Sequence, residues 1–442
     1  MDLYRTLRQK HGRCDEVEGH RAVMHSPPTG LHEPVHLVGR DKDHLPDFNR
    51  SIPGTMSPSS SSRAALVQPF IVMDMFREAN ALAAMGHDVV HMSAGQPAGG
   101  PPKKVVEAAR EALDGAYMGY TNSLGLPALR ERIARHYHDA YGVDIDSGRV
   151  VVTTGSSGAF VLSFLACFDQ GDKVGLTVPG YPAYSNILTA LDITVGDIEV
   201  DARHRWAPTP EQIATACEDG LSGLLLASPA NPTGTMVSPD NLAAISQTCA
   251  NNDIWFISDE IYHGLNYEMP QATALSSNSD AIIINSFSKY YCMTGWRIGW
   301  MIVPESLVRP VECLAQSLFI SPPTISQYAA VAAFDATDEL EQRKAEYREN
   351  RDFLLRELPG LGLGNLSPAD GAFYLYADVA NLTNDSFAFA QAMLKQAHVA
   401  VSPGADFDAD RGNRFLRLSF AGSRECMEKA VERLSRWLPK SG

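Results

Sequence analysis

Short apolar segments that alternate with amphipathic ones dominate the sequence after about Arg63. The apolar segments are rich in valine, isoleucine and leucine and read RVVVTT (149–154), KVGLTV (173–178), GLLLAS (223–228), DIWFIS (253–258) and AIIIN (281–285). Helical patterns lie between them, for example over 158–169, 210–218 and 239–251. Near-continuous apolar strands separated by helices are typical of a parallel sheet covered on both faces. The sequence therefore predicts an α/β protein.

A different pattern follows Pro304. A long helical stretch over 338–358 precedes the strand-like runs AFYLYAD, VAVSP and NRFLRLSF, and a last helix is predicted over 423–438. This order indicates a second, smaller α+β domain. We therefore divide the chain into an N-terminal extension (1–62), an N-terminal arm with part of the small domain (63–102), a large domain (103–305) and a small C-terminal domain (306–442).

The N-terminal extension differs from the rest of the chain. It holds six of the 13 histidines and ends in the low-complexity run SPSSSS (57–62). Such a segment buries too little apolar area to offset its ordering entropy, so we expect it to be disordered, with Met56 as an alternative start of the chain. Its HEPVH sequence (32–36) fits a zinc-binding pattern, but Pro34 opposes the helix that this pattern needs. We therefore predict no metal site.

Charge and composition exclude several classes of partner. Asp and Glu total 52 against 37 Lys and Arg, and the formal net charge of −15 disfavours nucleic acid as a partner. No apolar run approaches the roughly 18 residues of a membrane span, and the first residues lack the apolar core of a signal peptide. The 7 cysteines show no paired spacing, which is typical of reduced thiols. We expect a cytoplasmic protein that contacts neither membrane nor nucleic acid.

The segment INSFSKYYCMTGWRIGW (284–300) carries the clearest chemical signal. Lys289 lies just after a predicted buried strand, and its amine can attack a carbonyl if burial or nearby positive charge lowers its pKa. Ser286, Ser288 and Arg297 supply the hydroxyls and the guanidinium that bind a phosphate dianion. An imine-forming lysine beside a phosphate site suggests pyridoxal phosphate. The alternative is a loop lysine among routine serines.

The same segment resembles the lysine motif of the class I and II aminotransferases, which are aspartate aminotransferase-like pyridoxal-phosphate enzymes of fold type I. Further landmarks of that family follow in order between about Arg63 and the C-terminus. They are SAGQPAGGPP (93–102), GYTNSLGLPALR (119–130), TTGSSGAF (153–160), PGYPAY (179–184), SPANPTG (228–234), SDEIY (258–262) and RFLRLSFAGS (414–423). The resemblance implies a large domain with a mostly parallel seven-stranded sheet between helices, which binds pyridoxal 5′-phosphate, and a smaller α+β domain.

The resemblance also implies which residues bind the cofactor. The phosphate would be held by Ser156, Ser157, Ser286, Ser288 and Arg297, and a strand–helix turn such as 153–160 suits an anion in its own right.

Other motif residues would hold the cofactor ring. Tyr181 would stack on the pyridine, and Asn231 and Tyr262 would hydrogen-bond its phenolic oxygen. Asp259 would keep the pyridine nitrogen protonated. Tyr120 would reach the cofactor phosphate of a partner subunit, so a homodimer with shared active sites is expected.

On the substrate side, the resemblance assigns the α-carboxylate to Arg417 and the backbone of Gly95, with Asn231 nearby. Arg414 lies three residues before Arg417 and would face the other side of the strand. The apolar run VQPFIVMDM (67–75) would line the side-chain pocket, which favours a neutral or hydrophobic substrate side chain. A dicarboxylate remains an alternative if a partner subunit contributes an arginine.

The implied reaction is a ping-pong transfer of an amino group from an L-amino acid to a 2-oxo acid through a Lys289 aldimine. Lys289, Asp259 and Tyr262 would be the catalytic residues. Two alternatives share the fold: a C–S β-lyase or another reaction at the α carbon, and a pyridoxal-phosphate-binding regulator without turnover.

Overall fold

The structure is a computed structural model, and it describes residues 60–438. Apart from residues 60–62, the predicted N-terminal extension, with its HEPVH sequence, lies outside the described residues. None of the helices between residues 60 and 438 has the length and apolar character that crossing a membrane requires. The helices are α1 (Ser62–Leu66), α2 (Ile71–Ala84), α3 (Lys103–Gly115), α4 (Pro127–Tyr141), α5 (Gly155–Cys167), α6 (Pro182–Ala190), α7 (Pro210–Glu218), α8 (Pro239–Asn251), α9 (Glu305–Leu318), α10 (Thr324–Ala333), α11 (Thr337–Glu357), α12 (Ser386–Ala392), which continues as a π-helical turn over Met393–Ala397, and α13 (Arg424–Trp437).

The strands are β1 (Val90–His91), β2 (Val150–Thr153), β3 (Lys173–Val178), β4 (Thr194–Glu199), β5 (Gly223–Ala227), β6 (Trp255–Asp259), β7 (Ile282–Ser286), β8 (Gly299–Ile302), β9 (Asn365–Leu366), β10 (Tyr374–Asp378), β11 (Val399–Ala400), β12 (Ser402–Pro403) and β13 (Phe415–Ser419). Seven of them form the large sheet, in the order β2-β8-β7-β6-β5-β3-β4. Strand β8 runs antiparallel to both its neighbours, and the other pairs are parallel. The predicted seven-stranded, mostly parallel sheet is confirmed.

Both faces of the large sheet are buried, as the near-continuous apolar strands predict. In β5, Leu224 and Leu226 belong to one core cluster and Leu225 to the cluster on the opposite face. Helix α5 contributes Phe160 and Phe164 to that second cluster. The sheet is therefore a rigid platform between two apolar layers.

A second core surrounds the smaller sheets. Strands β12, β13, β10 and β9 form a four-stranded antiparallel sheet in that order, and β1 pairs with β11 in parallel. Met75 and Ala79 of helix α2 are buried in the same cluster as Phe373, Tyr374 and Leu418. The N-terminal arm thus packs with the C-terminal part of the chain. The exact boundaries of the arm, large domain and small domain remain a prediction.

Candidate active site

A cavity of about 450 Å³ lies where several parallel strands end. Ligands of open α/β sheets bind at this edge, beyond the carboxyl ends of the strands. The segments that follow β2, β3, β5, β6 and β7 all contribute to its lining. The predicted site residues that line the cavity are Gly95, Ser156, Ser157, Tyr181, Asn231, Asp259, Tyr262, Ser288, Lys289, Arg297 and Arg417.

Two predicted residues do not line the cavity. The Ser286 hydroxyl donates to the carbonyl of Ile298 at 3.0 Å and lies 2.9 Å from the Ser288 hydroxyl. It therefore contacts the cavity residue Ser288 and fixes its position. Tyr120 is 82% exposed on the surface of the single chain. Its assignment to a partner's site therefore stays a prediction.

The part of the cavity next to the start of α5 has the groups that bind an anion. Helix α5 starts at Gly155, and its N-cap residue, Thr154, makes no side-chain capping bond, so the first-turn amides are available to a ligand. Ser156 and Ser157 of this turn face the cavity, as does Arg297. Gly155 has φ +72°, and a Cβ there would lie 2.6 Å from Nη2 of Arg297. The tight turn brings amide dipoles, hydroxyls and a guanidinium to the same point, which is what a phosphate dianion requires.

A buried carboxyl group lies deeper in the cavity. Asp259 is the last residue of β6 and is 2% exposed. Its carboxylate accepts from the Tyr184 hydroxyl and, at 3.1 Å, from the Ile261 amide. Burial raises the pKa of Asp259 to about 6, although these hydrogen bonds and the Lys289 charge oppose the rise. A cationic group placed against this carboxylate, such as a protonated ring nitrogen, would favour its ionised form.

Lys289 lies across the cavity in the loop between β7 and β8. Burial lowers the pKa of Lys289 to about 8, and the positive charges of Arg417 and Arg297 act in the same direction. Its amine donates to the carbonyl of Gly95 and lies 5.6 Å from the centre of the Tyr262 ring. The lowered pKa increases the uncharged fraction of this amine near neutral pH compared with an exposed lysine, and the uncharged amine is the form that acts as a nucleophile or base.

Arg417 supplies a buried cation on the substrate side. It is 3% exposed, and its Nη1 donates to Oδ1 of Asn231 at 2.8 Å. The guanidinium lies 4.4 Å from the Tyr374 ring centre and 4.7 Å from that of Phe407. Its Nε is buried and has no hydrogen-bond partner among the described residues. A buried guanidinium with an unused donor suits a carboxylate ligand.

Arg414 is oriented differently, as the strand alternation predicts. Its Nη2 donates to Oδ2 of Asp378 at 2.6 Å, and its side chain is about half exposed. It borders a separate surface cleft.

Several cavity residues were missed by the sequence reasoning. Tyr184 donates to Asp259, and the hydroxyls of Tyr262 and Tyr374 lie 2.8 Å apart. Tyr184 belongs to the PGYPAY motif, so a signal for it existed. Tyr374 lies in a predicted strand whose two faces are both buried, and alternation cannot distinguish the cavity side there.

A further part of the cavity wall is apolar. Phe70, Val72, Met73 and Phe76, at the start of the N-terminal arm helix α2, line it. The predicted arm at 67–75 therefore does reach the cavity.

These residues fit pyridoxal 5′-phosphate. The uncapped helix turn with Arg297 matches its phosphate, the buried Asp259 its ring nitrogen, and the amine of Lys289 its aldehyde. The fold and the cavity thus define a pyridoxal-phosphate-dependent enzyme of fold type I.

Comparison with known proteins identifies the family. Residues 87–434 match the model of the class I and II aminotransferases. The chain belongs to this family: it is a pyridoxal-phosphate-dependent aminotransferase, which transfers the amino group of an L-amino acid to a 2-oxo acid. The predictions of family, fold class, reaction and cofactor are confirmed.

Similar proteins come from several organisms. Valine–pyruvate aminotransferase of Mycobacterium tuberculosis is 47% identical over 377 residues, which cover 84% of this chain and 97% of that protein. The crystal structure of an aminotransferase from Mycobacterium tuberculosis aligns with a TM-score of 0.85 at 46% identity, over 87% of this chain and 100% of the other. Aspartate aminotransferase from Thermus thermophilus with maleate aligns with a TM-score of 0.82 at 31% identity, over 86% and 100%.

Proposed function

We propose that this aminotransferase takes an L-amino acid with a neutral, apolar side chain as donor, with valine as the first candidate and pyruvate as the acceptor. The observation that carries the proposal is the apolar wall formed by α2 in the same cavity as Arg417. The relative from Mycobacterium tuberculosis that shares 47% identity is a valine–pyruvate aminotransferase.

The charges in the cavity also favour a neutral side chain. Among the described residues that line it, the lysines and arginines are Lys289, Arg297 and Arg417, and each has a role at the reacting or anion-binding groups. A second substrate carboxylate would therefore face apolar side chains and the acidic Asp406. Burying an unpaired charge in such a place is costly.

In the proposed reaction each polar residue of the cavity has a separate role. Arg417 binds the substrate α-carboxylate, and Asn231, already bonded to Arg417, fixes the orientation of the guanidinium. Bound pyridoxal phosphate supplies the electron sink for the substrate α carbon. Lys289 Nζ takes the α proton as a general base, and the ionised Asp259 stabilises positive charge at the ring nitrogen.

A panel of amino acids added singly to the purified holoenzyme tests the substrate class. Conversion of the cofactor to its amino form should be fastest with valine and related apolar donors and slow with aspartate or glutamate. Release of pyruvate together with ammonia from a substrate with a sulfur leaving group would instead favour the C–S lyase. No spectral change with any amino acid would favour a non-catalytic regulator.

Two variants test the role of Lys289. Lys289→Ala and Lys289→Arg should both lose transamination, because Arg keeps the positive charge but cannot act as nucleophile or base. Both should still bind cofactor through the α5 turn and Arg297. Normal turnover by either variant would contradict the assignment.

We further propose that the protein is a cytoplasmic homodimer. The described cysteines are all unpaired, as expected in a reducing compartment. Tyr117 and Tyr120 are 88% and 82% exposed, and neighbouring exposed aromatic rings can form part of an interaction surface. Sedimentation of the purified enzyme would measure its oligomeric state.

A further inference from the structure

We propose that Asp406 is a positioning residue that selects the substrate side chain, because it fixes the start of helix α2 and thereby the apolar wall of the cavity. The inference rests on the proposed function, since it concerns how the neutral side chain is recognised.

The contact between Asp406 and α2 replaces a missing local cap. The N-cap residue of α2 is Phe70, which makes no side-chain capping bond. Asp406 supplies the bonds from 335 residues away: its Oδ1 accepts from the Ile71 amide at 2.8 Å and its Oδ2 from the Val72 amide at 3.2 Å. A carboxylate at this end of a helix also interacts favourably with the helix dipole. Asp406 therefore acts as the N-terminal cap of α2, although it is distant from the helix in the sequence.

The capped turn carries the residues that meet the substrate side chain. Phe70, Val72, Met73 and Phe76 line the cavity, and the Phe70 ring centre lies 6.0 Å from that of Tyr181. One turn later, Met75 is buried in the core. The later part of α2 is thus held by packing. Its first turn is held by the bonds to Asp406 together with the packing of Ile71 and Val72, which are only partly buried.

The segment that carries Asp406 is itself closely packed. A Cβ on Gly404 would lie 2.5 Å from the carbonyl oxygen of Gly412, so the absence of side chains at these two positions allows the ends of the 404–412 turn to approach each other closely. The next residue, Phe407, places its ring 4.7 Å from the guanidinium of Arg417, and its carbonyl accepts from the Gly180 amide at 3.0 Å. One short segment therefore contacts the arm, the carboxylate-binding arginine and the loop of Tyr181.

This arrangement sets the distance between the apolar wall and Arg417. In this proposal an amino acid held at Arg417 by its α-carboxylate extends its side chain towards that wall, so that a branched side chain packs against it and the methyl group of alanine makes little contact with it. Loss of the cap should therefore weaken the binding of branched donors and leave alanine almost unaffected. Alanine is a suitable reference because it is the donor of the reverse reaction when pyruvate is the acceptor.

The test compares Asp406→Ala, Asp406→Asn and the wild-type holoenzyme. For Asp406→Ala we expect the KM for valine to rise about five- to tenfold, the size of a lost helix cap, with kcat unchanged. The KM for alanine should stay within about twofold. Asp406→Asn should restore most of the valine affinity, because asparagine caps nearly as well as aspartate. Hydrogen exchange at the first-turn amides of α2, residues 71–75, should be faster in Asp406→Ala, with or without substrate, and exchange in the buried later turns should change less.

Thr209→Ala is the matched control. Thr209 caps α7 and accepts from the Gln212 amide at 3.3 Å, and it does not line the cavity. Its loss should speed exchange in α7 and change neither KM.

An equal rise in KM for alanine and valine, or unchanged exchange in α2, would overturn the inference. Its failure is distinguishable from failure of the proposed function, which shows in the wild-type enzyme as absence of valine turnover. In that case the favoured donor from the amino acid panel replaces valine, and the exchange measurement still decides the role of Asp406.

Discussion

At the scale of single residues, burial drives the acid and the amine of the cavity towards their neutral forms. The pKa of Asp259 is raised to about 6 and that of Lys289 is lowered to about 8. A cavity prepared in this way favours a ligand that brings its own positive charge to Asp259 and a carbonyl to Lys289. The two shifts lead to separate predictions.

The first prediction concerns the pH dependence of cofactor attachment. The uncharged amine of Lys289 is the reactive form, so the rate at which the cofactor-free protein attaches pyridoxal phosphate should rise with pH and level off above about 8. Stopped-flow absorbance between pH 6 and 10 measures this rate. A rate that keeps rising to pH 10 would show that the pKa of Lys289 is not lowered.

The second prediction concerns stability without cofactor. Because the pKa of Asp259 in the folded protein is about 6, above its ordinary value of 3.8, the native protein binds an extra proton between about pH 4 and 6. The stability of the native protein therefore falls as the pH rises from about 4 to 6 and stays at the lower value above pH 6. Asp259→Asn removes this loss of stability: its Oδ1 can accept from the Ile261 amide, and its Nδ2 can donate to the Tyr184 hydroxyl, which then acts as the acceptor. We expect the cofactor-free variant to be more stable than the wild type by roughly 1–3 kcal/mol at pH 7 and equally stable below pH 4.

Denaturant unfolding of the cofactor-free proteins at pH 7 and at low pH checks this second prediction. Asp280→Asn is the control, since Asp280 is exposed and its removal should change little. Cofactor binding should be weaker in Asp259→Asn. A variant less stable than the wild type at pH 7 would contradict the prediction.

At the scale of elements, strands were predictable where they were buried on both faces. The runs at 149–154, 173–178 and 223–228 correspond to β2, β3 and β5 within one or two residues. Strand β4 was missed because it lies at the sheet edge, where exposed polar residues interrupt its apolar pattern. Strand β8 was missed because its first two residues belong to the segment 284–300, which was interpreted as a chemical motif.

The active-site residues, like the strands, could be predicted only where a local sequence pattern marks them. Residues near strand ends, such as Asn231 and Lys289, could be predicted because their motifs follow buried strands in order. The capping of α2 by Asp406 could not, because it joins residues 335 positions apart and leaves no local pattern. Likewise, no local sequence pattern distinguishes Ser286, whose hydroxyl contacts Ser288, from Ser288 itself, which lines the cavity.

The turn between β2 and α5 leads to the third prediction. Gly155→Ala places a Cβ 2.6 Å from Arg297 and imposes a left-handed φ on a non-glycine residue. We expect at least about tenfold weaker cofactor binding, measured by absorbance titration, because the guanidinium must move. Gly171→Ala is the control: it has φ +89° but meets no atom within 4 Å. Equal effects of the two variants would mean that backbone strain alone is responsible.

At the scale of the whole molecule, the proposed homodimer would account for the exposed tyrosines. Tyr120 is 82% exposed, and the resemblance assigns it to the phosphate of a partner's cofactor. With a net charge of −15, two chains would associate through apolar and hydrogen-bonded contacts against an overall repulsion. A shared active site explains why a large tyrosine would be left uncovered in one chain.

Mixed dimers supply the fourth prediction. In a mixed dimer, the Lys289→Ala subunit has an inactive site of its own but still contributes Tyr120 to the site of its partner. The Tyr120→Ala subunit retains Lys289, so its site is the complete one. Equal amounts, unfolded and refolded together, give about half mixed dimers, each with one complete site, so activity should recover to about one quarter of the wild type. The measurement requires that Tyr120→Ala alone binds cofactor weakly, which absorbance titration establishes first. If Tyr120 acted within its own subunit, the mixed dimers would contain no complete site, and the mixture would show only the average of the two separate variants.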